Sequence, residues 1–188
     1  QYVSGTNAAP MLYNVNTLNN LQYISVETVF SVRDWNSNSA NQILWNKENT
    51  WEISTGRDNG ASGTPHVQWA WQTTSGSGWF WVNTGVTLSQ NTKYHLVLTY
   101  SSADYYLRTY LNGVLSHTYT TTSGSNSLNG PLQNTNATYP KLNGRNNGQT
   151  EVGDPGSHDF YRAAIWNRAL TQSEITALYN DAKTRHGL

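Results

Sequence analysis

An all-β fold is what this sequence predicts: a two-sheet antiparallel β-sandwich closed by one short C-terminal helix. Three observations carry that reading. Short runs with period-two alternation recur along the 188 residues, separated by turns rich in Asn, Ser and Gly. Only 12% of residues are charged while 12% are aromatic, a balance that suits strands and polar turns better than helices. One helical pattern is visible, and it comes at the end.

The first strand is 23–33, YISVETVFSVR. It sets Ile24, Val26, Thr28, Phe30 and Val32 on one face against Tyr23, Ser25, Glu27, Val29 and Ser31. Shorter strands follow at 42–47 and 50–56, parted by polar residues, and 56–65 (GRDNGASGTP) is a dense turn region. His66 to Gln72 and Trp79 to Asn83 flank residues 73–78 as a β-hairpin. Segments 94–100 and 105–111 form the strongest strand pair, and Asn112-Gly113 supplies a tight turn into 114–119. A stretch rich in Ser, Thr, Asn and Gly at 120–136 reads as a long exposed loop. A further strand near 138–142 leads into a second loop at 144–157.

The closing segment, Asp159 to Leu188, is a strand that turns directly into a helix. Thr171 lies three residues before Glu174, the capping-box spacing. Ile175, Leu178, Tyr179 and Ala182 share one helical face. Lys183, Arg185 and His186 sit at the negative end of the helix dipole, and Gly187 can end the helix.

Composition sets further bounds. With 11 basic and 11 acidic residues the formal charge is zero and no basic run exists, which argues against nucleic acid. No Cys is present for disulfides or thiolate metal sites, and no apolar stretch is long enough for membrane insertion. No composition shift divides the chain, so residues 1–188 read as a single domain. The amide- and hydroxyl-rich make-up is that of an extracellular or virion surface.

The stretch from Val67 to Asn83, VQWAWQTTSGSGWFWVN, is the candidate binding feature. Closed with Ser75 at its tip, it would set Trp71 opposite Trp79 and Trp69 opposite Trp81, putting four indoles on one face. Such a face would stack on sugar rings. The same four residues could instead fill the sandwich core, where aromatics dominate burial.

Four blocks carry a resemblance: ISVETVFSV, LSQNTKYHLVLTY, YLRTYLNGVL, and the closing FYRAAIWNRALTQSEITALYNDAKTRHGL. In this order they resemble the laminin-G-like, concanavalin A-like jelly-roll domains, and the ending is similar to versions found at the ends of phage and other virion proteins. Relatives commonly carry one more strand before the position matched by Tyr2-Val3, which the resemblance implies is missing, trimmed or supplied by another segment. The resemblance also implies calcium at the rim of the sandwich, for which Glu151, Asp154 and Asp159 are the candidate ligands. An equally simple reading makes Asp154-Pro155-Gly156 a turn and pairs Asp159 with Arg162.

The fold also hosts glycoside hydrolases, which need two carboxylates around the scissile bond. Glu48 and Glu52, in one extended strand, would stand about 13 Å apart. The five His residues show no ligand spacing and no Gly-x-Ser-x-Gly elbow exists, so no catalytic site is expected. Two functions remain. One is a non-catalytic carbohydrate-binding or adhesion module that takes a surface glycan or polysaccharide. The other is a structural or decoration domain whose partners are copies of itself or other virion or surface proteins.

Overall fold

The computed structural model describes residues 18–34, 41–57, 65–76, 78–133, 140–146, 152–153 and 156–188. Twelve strands and one helix follow in order: β1 (Tyr23–Asp34), β2 (Asn41–Lys47), β3 (Trp51–Arg57), β4 (Pro65–Trp71), β5 (Phe80–Thr87), β6 (Lys93–Ser101), β7 (Tyr106–Leu111), β8 (Val114–Thr120), β9 (Lys141–Leu142), β10 (Arg145–Asn146), β11 (Val152–Gly153), β12 (Ser157–Trp166) and α1 (Gln172–His186). Sheet I has the order β12-β1-β6-β7-β8 and sheet II the order β5-β4-β3-β2-β9, with β10 and β11 forming a small separate ribbon. The pairings within both sheets are antiparallel. The two-sheet sandwich expected from alternation is therefore what forms.

Alternation decides the core. Ile24, Val26, Phe30 and Val32 of β1 meet Trp45, Trp51, Ile53, Val67, Trp69 and Trp71 of sheet II in one buried cluster. An indole N–H cannot be buried without an acceptor at low cost. Sheet I answers with threonines on its inner face: Trp45 Nε1 donates to Thr28 Oγ1 at 2.7 Å, and Trp69 Nε1 to Thr109 Oγ1 at 3.1 Å. This explains why Thr28 interrupts an otherwise apolar face.

Part of the outer face of sheet I is covered by α1. Val97, Tyr110, Leu170 and Ile175 form a second apolar cluster, with Trp166 and Leu178 against it. Beside it lie buried charges: Glu27 accepts from His95 Nε2 at 2.9 Å and pairs with Arg162 Nε at 3.0 Å, and Arg162 also meets Asp181 of the helix at 2.8 Å. The capping box is present in full, and Gly187 takes the left-handed conformation at φ 67° that ends the helix. Arg168 and the cap hydrogen bonds hold the Glu174 carboxyl down at about 2. Thr171→Ala is expected to cost about 1 kcal/mol of stability, read as a lower urea midpoint at unchanged slope.

Two loop expectations are corrected. The 120–136 stretch is not an exposed loop throughout: Leu128 and Leu132 are buried, Thr73 and Leu132 form a β-bridge, and Tyr100 Oη donates to the carbonyls of Leu128 and Gly130. Two leucines in a polar stretch thus join the main buried cluster. Glu48 and Glu52 do not share a strand either, because the chain turns at 48–50 between β2 and β3. The first seventeen residues, where the resemblance concerned an additional strand, lie outside the described residues.

Candidate functional site

The Trp hairpin forms, but in a register one residue away from the expected pairing. Trp71 pairs with Phe80, Ala70 with Trp81 and Trp69 with Val82. A one-residue slip moves every side chain of a strand to the other face. Trp69 and Trp71 are each only 1% exposed and belong to the core. Trp79 and Trp81 stand together on the outer face, their rings 6.1 Å apart and nearly perpendicular at 85°. The four-indole platform is therefore corrected to two indoles outside and two inside. The cause is visible in the packing, where Phe80 and Tyr119 close around Trp71 with ring separations of 5.3 and 5.2 Å.

Neighbouring strands extend this outer face with polar side chains. Ala70, directly opposite Trp81, keeps the surface beside the indole low. Asn83 is exposed two residues along β5 and pairs in register with Gln68. The Gln68 amide accepts from Ser54 Oγ at 3.3 Å and lies 2.9 Å from His66 Nε2. Further across, the two amide hydrogens of Asn46 are spent on two carboxylates, Glu52 at 2.6 Å and Glu48 at 3.2 Å. Lys141 lies opposite Asn46, and burial lowers its ammonium pKa. Most of this row is covered: Asn46, Glu52 and Ser54 are fully buried and His66 nearly so, whereas Gln68, Trp79 and Trp81 are partly exposed and Asn83 is exposed. Those four residues can meet a polyhydroxylated ligand with amide donors and acceptors and an apolar plane.

The hairpin turn brings Glu48 and Glu52 together at a single amide nitrogen, not the wide separation expected of one strand. Asn46 Nδ2 fills the space between them, where a scissile bond would have to sit.

Of the three calcium candidates, Glu151 and Asp154 lie outside the described residues. Asp159 pairs with Arg33 at 3.1 Å, whereas Arg162, its expected partner, is engaged with Glu27 and Asp181. Asp159 thus reaches its place with a cation already at hand, and the described residues gather no group of three or more His, Asp or Glu that could hold a metal.

Sequence reading missed Gln68, Ser54, His66 and Asn46 as a set. Their signal was present as polar residues alternating with the core positions of β2, β3 and β4, but it becomes a site only once the strand order is known.

The model of the laminin-G type described as the concanavalin A-like lectin/glucanases superfamily matches residues 5–176. No relative was found among curated proteins. Solved structures with a similar fold include the Ruminococcus gnavus IT-sialidase CBM40 bound to alpha2,3 sialyllactose, at 15% identity and TM-score 0.67, covering 95% of this chain and 98% of that one. A heptameric SAP-like pentraxin from Limulus polyphemus has 15% identity and TM-score 0.57, covering 86% of this chain and 71% of that one. The receptor-binding domain of botulinum neurotoxin D has 16% identity and TM-score 0.62, and there 97% of this chain spans only 43% of that one. At these identities the likeness is one of fold.

Proposed function

The chain belongs to the concanavalin A-like lectin/glucanases superfamily, and from that premise we propose that it is a non-catalytic carbohydrate-binding module displayed on an extracellular or virion surface. The observation that carries the proposal is the outer face of sheet II, where the partly exposed Trp81 stands over the small Ala70 beside Asn83 and Gln68. An indole set beside amides gives a sugar ring both a flat apolar surface and hydrogen-bonding partners. The sialyllactose carried by the bacterial CBM40 of similar fold supports the ligand class. The Asn46 amide between Glu48 and Glu52 supports binding over hydrolysis. The surface setting rests on the neutral, amide-rich composition, and its virion variant on the resemblance of the closing strand and helix alone.

A shallow face of this kind binds weakly per copy, so display in multiple copies supplies avidity. A glycan array probed with a multimer of the chain tests the reading, with and without calcium. At least one glycan is expected to bind, and Trp81→Ala should weaken it by about tenfold or more, roughly 1.4 kcal/mol. Calcium dependence would assign the ion to the loop that carries Glu151 and Asp154. A blank array from a folded multimer would favour the structural role, with copies of the chain as partners.

A further inference from the structure

We propose that the outer face of sheet I carries a second ligand site, centred on Arg108, that takes the carboxylate of an acidic sugar. It lies on the opposite sheet from Trp81 and stands independently of that face. The first observation is a missing counter-ion. Arg33 pairs with Asp159 at 3.1 Å, Arg162 with Glu27 at 3.0 Å, Arg168 with Glu174 at 2.7 Å and Arg185 with Asp181 at 2.7 Å. Arg108 forms no such pair among the described residues. The nearby Asp104 is held by Ser101 Oγ at 2.8 Å instead.

The second observation is that Arg108 is nonetheless held in place. Its guanidinium lies over the ring of Tyr106, with Cζ 3.8 Å from the centroid, so one of its faces is stacked and its orientation set before any ligand arrives. Behind it, two buried polar atoms lack partners. Among the described residues, Arg108 Nε finds no acceptor, and Thr99 Oγ1, on a fully buried residue directly opposite in register, makes no hydrogen bond. Native structures rarely leave such atoms unmatched.

The surroundings select the ligand. Thr118 and Thr120 of β8 are exposed and sit opposite Arg108 and Tyr106. Tyr110, two residues along β7, closes the other side where it packs with Leu170 and Ile175. A planar, pre-stacked guanidinium matches a carboxylate through two parallel N–H bonds, and the threonine hydroxyls match the hydroxyls of a pyranose ring. A simple anion would use the first feature and not the second.

The test is a titration of the chain with digalacturonate, followed by the ¹⁵N resonances of the arginine side chains and by calorimetry. The Arg108 signal is expected to shift on binding, and the methyl ester of the same sugar to bind at least tenfold more weakly. Arg108→Lys keeps the charge but loses the fork, and should also weaken binding at least tenfold. Thr118→Glu, on an exposed position, supplies the missing counter-ion from within the chain and should block the site without touching the core. Trp81→Ala should leave this titration unchanged, which separates the two sites. Equal binding of acid and ester, full binding by both variants, or no binding at all would overturn the proposal. So would displacement by acetate at the same concentration, which would mean an anion site without sugar recognition.

Discussion

Trp69→Ala is expected to lower the unfolding free energy by about 3–5 kcal/mol, among the largest effects of any single truncation in this chain. The indole is 1% exposed and packed between the sheets, so its removal leaves a cavity that β-strands on both sides cannot close. It also strands the Thr109 hydroxyl, whose indole partner at 3.1 Å disappears. Trp81→Ala, on the outer face, is expected to cost far less stability while removing binding. Urea denaturation of the two variants, set beside the array, checks the division of labour between them. A cost under about 1 kcal/mol for Trp69→Ala would contradict its place in the core.

The second large effect follows pH. His158 of β12 lies between the sheets, with Nε2 2.8 Å from Thr55 Oγ1 and Nδ1 3.1 Å from Asn143 Oδ1. Phe30 and Phe160 pack on its ring at 5.9 and 5.7 Å. Burial, helped by the nearby Arg33 charge, lowers its pKa to about 3 from the ordinary 6.5. Below pH 6.5 the unfolded chain takes up a proton that the folded chain refuses. The stability owed to neutral His158 is thus complete above pH 6.5 and is lost progressively as pH falls toward 3, at up to about 1.4 kcal/mol per pH unit. His158→Gln should flatten the slope of stability against pH across this window. An unchanged slope in that variant would place the sensitivity elsewhere.

Much of the fold was legible because alternation and capping are local. Thr171 and Glu174 announce the helix start, and the β1 faces follow from Ile24 to Val32 without knowledge of any partner. The hairpin register was not legible. WFW offers large side chains at both parities, and the choice is made by Tyr119 of β8, which closes on Trp71 and Phe80 from a strand far along the chain. The polar row of sheet II was hidden for a related reason. Asn46, Glu52, Ser54, Gln68 and His66 look like ordinary solvent-side residues until β2, β3 and β4 stand side by side. Arg108 was equally silent, since a missing partner can be seen only once the partners of Arg33, Arg162, Arg168 and Arg185 are known.

The pairing of β1 with β12 has a consequence for the time course of folding. Ser25 donates to the carbonyl of Arg168, a bond that joins residues 143 positions apart. One edge of β1 is matched by β6, but the other waits for a strand made more than a hundred residues later. During synthesis the nascent chain must therefore carry an open, apolar strand edge until β12 leaves the ribosome. Closure this non-local is slow, on the order of milliseconds to seconds. Interruption of synthesis anywhere before β12 would release a product prone to pair with its own copies through that edge.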